Sequence, residues 1–138
     1  MSDTSLFPAP DDEMLVSIYR KQGRTLDDLP HTPDFESIYQ AVGEDALTRT
    51  ALFHRLHNLR KAGKLPRLGR AVEKPPRIAP EHERLLAELV ESAIGRLSLR
   101  DQLPYTPIFD QIVSTFNAQA GLNLPPHAVW RLIAKLAK

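Results

Sequence analysis

The amino-acid sequence predicts an all-α protein built from two pseudo-repeated three-helix units, and three observations carry that prediction. A proline-bracketed motif occurs twice, apolar residues recur at helical spacing around each copy, and a segment with four prolines separates the two. Leu29-Pro30-His31-Thr32-Pro33-Asp34-Phe35-Glu36-Ser37-Ile38 returns as Leu103-Pro104-Tyr105-Thr106-Pro107-Ile108-Phe109-Asp110-Gln111-Ile112. The elements predicted in order are a disordered tail over 1–9, a first unit over 10–72, a proline-rich linker over 73–80 and a second unit over 81–138.

Each unit opens on an apolar-periodic stretch, Met14 to Tyr19 in the first and Leu85 to Leu97 in the second. Thr-Pro then starts the second helix. The Thr hydroxyl accepts from an orphan N–H, while Pro supplies a helical φ at the first position. Phe35, Ile38 and Tyr39, like Phe109, Ile112, Val113 and Phe116, continue that helix. In the third helix, Leu47, Ala51, Leu52, Phe53, Leu56 and Leu59 match Leu124, Ala128, Val129, Trp130, Ile133 and Leu136 after a shift of three residues. A longer turn around Asn117 to Leu122 is the expected source of the shift. Thr48 is placed to cap the first of these helices and Gly63 to end it in the left-handed conformation, whereas Pro125 and Pro126 open the second. Trp130 is read as core.

Charge divides unevenly along the chain. Residues 1–45 carry ten acids against three bases, residues 46–72 carry seven bases and no acid, and residues 73–138 carry eight bases and seven acids. The positive field therefore concentrates on the third helix of the first unit and the segment after it.

Two helices joined by a turn, the later one capped by Thr and followed by Gly, make a helix-turn-helix arrangement. With Leu59-Arg60-Lys61-Ala62-Gly63-Lys64-Leu65 closing the third helix and a basic Arg67 to Arg70 segment behind it, the chain resembles bacterial winged-helix DNA-binding regulators. The resemblance covers roughly residues 33–72, with a degenerate second copy. It implies a third helix that enters the DNA major groove and a wing over residues 64–78. Pro66, Pro75 and Pro76 predict that the wing is small and irregular.

A helical wheel built on Leu52, Leu56 and Leu59 turns Thr50, His54, His57, Asn58 and Lys61 outward, with Arg55 and Arg60 on the shoulders. Thr50, His54 and Asn58 are the expected base-edge contacts. Arg49, Arg55, Arg60, Lys61, Lys64, Arg67 and Arg70 are the expected phosphate contacts. The second unit carries a weaker basic face of His127, Arg131, Lys135 and Lys138, and Leu132 stands where the first unit has Arg55.

Catalysis finds little support in the residues. The chain has no cysteine, and its six glycines form neither a phosphate-cradling loop nor a nucleophile elbow. His54 and His57 alone among five histidines are spaced to share a helix face, and they sit among positive charges that repel a cation. Asp11-Asp12 and Asp27-Asp28 read as helix-start and turn residues. No apolar run reaches membrane-spanning length, and the amino-terminal segment lacks an export signal, which with the missing cysteines predicts a cytoplasmic location. The expected protein is non-catalytic, needs no cofactor or metal, and binds double-stranded DNA in the manner of a transcription regulator. It is expected as a homodimer or as a pseudo-dimer within one chain. The competing expectation is a protein-interaction module in which the acidic first third pairs with the basic middle.

Overall fold

In the computed structural model, which describes residues 12–43, 47–68 and 74–138, the two Thr-Pro motifs form the same turn. The hydroxyl of Thr32 donates to the Leu29 carbonyl at 2.6 Å and accepts from the Phe35 N–H at 3.2 Å. Thr106 does the same with Leu103 and Phe109, at 2.6 and 3.2 Å. One side chain thus closes the incoming loop and caps the outgoing helix. The residue before each Thr lies in the left-handed region, His31 at φ 65° and Tyr105 at φ 64°. A side chain larger than glycine costs about 1 kcal/mol or more there, a strain the paired Thr hydrogen bonds offset.

The chain divides into two compact units, Met1–Arg70 and Ala71–Lys138. In the first, α1 (Asp12–Gln22) leads through a 3-10 turn at Leu26–Asp28 to α2 (Pro33–Val42) and α3 (Arg49–Lys61). In the second, α4 (Pro80–Ile94) leads through a 3-10 turn at Leu97–Gln102 to α5 (Pro107–Ala120) and α6 (Pro126–Leu136). The described residues are all-helical and contain no strand. Residues 64–68 and 74–79, the described parts of the expected wing, form neither strand nor helix; its centre at 69–73 lies outside the described residues, as does the expected tail at 1–9.

The first unit buries Leu15 and Tyr19 of α1, Phe35, Ile38 and Tyr39 of α2, and Leu52, Phe53, Leu56 and Leu59 of α3. Leu26 and Leu29 seal the 3-10 turn beneath them. In the second unit Leu86 and Val90 face Phe109, Ile112 and Phe116 across a core completed by Val129, Trp130, Leu132 and Ile133. Trp130 meets Phe109 edge-on, with ring centroids 6.5 Å apart. Burying side chains of this size stabilises by about 1.5–3 kcal/mol each, before the cost of ordering the chain.

The three-residue shift between the units has a different origin from the one the sequence suggests. α5 has 14 residues against 10 in α2, while five residues rather than six separate it from the next helix. The extra length lies in the helix and not in the turn. Asn117 makes this possible: its side chain donates to the Leu124 carbonyl at 2.9 Å and accepts from the Leu124 N–H at 3.0 Å. The first helix of the second unit also begins earlier than its apolar pattern, at Pro80, because proline is well suited to the opening turn.

Arg24 clamps the first 3-10 turn to α2. Its guanidinium reaches Asp28 at 2.8 Å and Asp34 at 2.7 Å, and Asp28 is 1% exposed. The second unit has no such clamp among these positions. Ile108 replaces Asp34 in the motif and stands half exposed beside a groove of about 350 Å³ bordered by Leu89, Ala93 and Ile112. Among the described residues no helix is long and apolar enough to cross a membrane.

The shared turn makes a direct prediction. Thr106→Ala is expected to lower stability by about 1 kcal/mol in urea unfolding, and Thr106→Ser to restore most of it. Thr32→Ala should cost at least as much, since Thr32 is the more buried of the two.

Candidate nucleic-acid interface

α3 is set by two local devices. At its start the Thr48 hydroxyl accepts from the Ala51 N–H at 3.1 Å. At its end Gly63 adopts φ 73°, its N–H donates to the Arg60 carbonyl at 3.0 Å, and the Lys64 N–H donates to the Leu59 carbonyl at 2.9 Å. This paired pattern is the Schellman ending, and only a residue tolerant of left-handed φ completes it cheaply. Lys64 is thereby turned off the helix axis at a defined point.

With Leu52, Leu56 and Leu59 inward, His54, Asn58 and Lys61 are exposed and Thr50 is half-buried. His54 and Asn58 border a shallow depression with Asp12, Arg55 and Lys64. His57 does not join them. It is 4% exposed, its ring edge packs on Phe53 at 4.5 Å between centroids, and Nδ1 lies 3.3 Å from an Arg60 nitrogen. The buried arc of α3 is wider than the stripe of Leu52, Leu56 and Leu59. Phe53 widens the buried arc toward His57, which is only about 40° further round at 100° per residue. His54 and His57 therefore lie in different environments, one exposed and one buried.

The arginines of α3 face carboxylates of their own unit. Arg49 holds Glu36 through three hydrogen bonds of 2.7 to 3.2 Å and lies over the Tyr39 ring at 4.5 Å. Arg55 reaches Asp12 at 3.1 Å, and Arg60 reaches Asp27 at 3.1 Å. α1, the 3-10 turn and α2 thus each supply one acid to one arginine of α3. Lys61, Lys64 and Arg67 are exposed, and no carboxylate of the described residues forms an ion pair with them. Arg70 lies outside the described residues. In the second unit His127 and Arg131 are half-buried, Lys138 is exposed, and Lys135 pairs with Glu83 at 3.0 Å. Leu132 is fully buried.

Two titrating groups report on these contacts. Hydrogen bonds from Arg49 hold the Glu36 carboxyl below its ordinary range; partial burial opposes them, and the charges of Arg49 and His31 add to them. Burial pushes the Tyr19 phenol up, against a hydrogen bond with the Leu26 backbone and the nearby Arg60 charge, while Asp27 adds to the rise.

Comparison of the chain with protein-family models, curated proteins and solved structures finds no match.

A carboxyl whose folded pKa lies below its unfolded one contributes stability that is fully present above the unfolded value. That contribution is lost as pH falls through the folded value. The Glu36–Arg49 pair accordingly supports the first unit at neutral pH and ceases to do so in acid. Arg49→Gln is expected to move the Glu36 titration, followed by carboxyl NMR, upward into the ordinary glutamate range. A titration that does not move would show that the pair does not persist in solution.

Proposed function

We propose that the chain is a non-catalytic, transcription-regulator-like protein of the cytoplasm that binds double-stranded DNA through α3 of its first unit. The observation that carries this reading is the row His54, Asn58 and Lys61, exposed on a helix that lies in an acid-free stretch and continues into exposed Lys64 and Arg67. Asn58 and His54 carry donors and acceptors suited to base edges, and Thr50 stands one turn before them. Lys61, Lys64 and Arg67 supply charge for the phosphates on either side.

The reading is narrower than the one charge counting suggests, because Arg49, Arg55 and Arg60 already have carboxylate partners. The separation of α2 from α3 by six residues also exceeds the three- or four-residue turn of the tightest helix-turn-helix units. These three ion pairs favour a second reading, a protein-interaction module whose basic helix is balanced from within by the acidic first third. In that case the exposed row of α3 meets another polypeptide, as a homodimer contact or otherwise.

Fluorescence anisotropy with a duplex of mixed sequence separates the two. Three phosphate contacts predict a slope of log K on log salt near about −3. Lys61→Ala or Lys64→Ala is expected to weaken binding equally for all sequences and reduce that slope by about 1. Asn58→Ala is expected to relax preference among sequences instead. Absence of duplex binding at about 50 mM salt, with self-association by light scattering, would replace the DNA reading with the second.

A further inference from the structure

We infer that Asp12, Asp27 and Glu36 are specificity-determining residues, which hold Arg55, Arg60 and Arg49 away from phosphate and so suppress binding to polyanions that offer charge alone. The inference rests on the reading of α3 as a DNA-contacting helix. A carboxylate and a phosphate present similar oxygen pairs to a guanidinium and compete for the same donors. A duplex approaching α3 must therefore displace three internal acids or do without three arginines.

A purely structural role explains these pairs poorly. Their side chains are between 32% and 45% exposed, and exposed pairs contribute little to folding. The Arg24–Asp28 pair, with Asp28 at 1%, shows what a structural pair in this unit looks like. The three acids also arrive from three separate elements and converge on one helix, each meeting a different arginine. Displacing each exposed pair lowers affinity by about 1.5- to 5-fold, so three together oppose charge-driven binding by about 3- to 100-fold. A contact to base edges from Asn58 requires none of these displacements. Discrimination between a matching site and bulk nucleic acid rises as a result.

The test compares the full chain with the variant D12N/D27N/E36Q and with a charge-matched control, E88Q/E91Q/D110N, that removes three exposed acids of the second unit. Binding to a mixed-sequence duplex and to heparin is followed from about 50 to 200 mM salt. The first variant is expected to bind both about 3- to 100-fold tighter at the low end, its slope steepening from about −3 to about −5 as three more phosphates are contacted. The control is expected to keep the original slope. Equal gains in the control, no gain in the variant, or a slope already near about −5 in the unaltered chain would each overturn the inference while leaving DNA binding in place. If no form binds the duplex or heparin at any salt, the DNA reading falls and takes this one with it. Circular dichroism checks the fold. Should the triple variant unfold, D27N and E36Q singly are each expected to tighten binding about two- to fivefold, and single variants without effect would count against the inference.

Discussion

Both units depend on one constraint, the hydroxyl of a threonine that answers two backbone groups at once. Without it the N–H of Phe35 or Phe109 loses its side-chain cap, and the carbonyl of Leu29 or Leu103 loses its hydroxyl donor, the latter keeping the Thr106 N–H. The left-handed residue ahead of the threonine would then be strained with nothing to hold it. Because the threonine sets where the next helix begins, it also sets which residues of α2 and α5 turn inward. Phe35 and Phe109, three positions on, reach the core centre for that reason.

The charge of the first unit is organised around α3 as closely as its apolar core is. Five acids of α1, the 3-10 turn and α2 are held by arginines, two of them by the single side chain of Arg24. The near-cancellation of −7 and +7 along the sequence is therefore partly a set of physical contacts and not only a tally. What projects beyond these contacts is a short polar row on α3 and the basic residues after Gly63.

The helices were legible because their signals are local. Thr32, Thr48 and Thr106 cap where they were placed, Gly63 terminates α3, and Pro126 opens α6, all decided within a few residues of chain. The exposed His54, Asn58 and Lys61 followed from the same periodicity. That acids of the first third meet bases of the middle followed from the charge pattern, but most of the individual pairings did not. Arg55 meets Asp12 across 43 residues and Arg60 meets Asp27 across 33, and no spacing rule pairs them. His57 was misplaced because a polar ring at the edge of a stripe takes its burial from its neighbours, Phe53 and Arg60, rather than from its own polarity. The 3-10 turns went unread, since three and six residues are too few to show a period.

The contrast between Asp34 and Ile108 has a consequence for how each unit holds itself together. At the same place in the shared motif, one unit puts a carboxylate in the grip of Arg24 and the other puts an aliphatic side chain beside a groove. At this place in the motif, the first unit's cohesion thus includes charges that dissolved ions screen, while the second has apolar contact that excluded salts strengthen. Guanidinium chloride, itself a salt, therefore screens ion pairs of the first unit that neutral urea leaves unscreened, while both solvate the apolar cores of the two units alike.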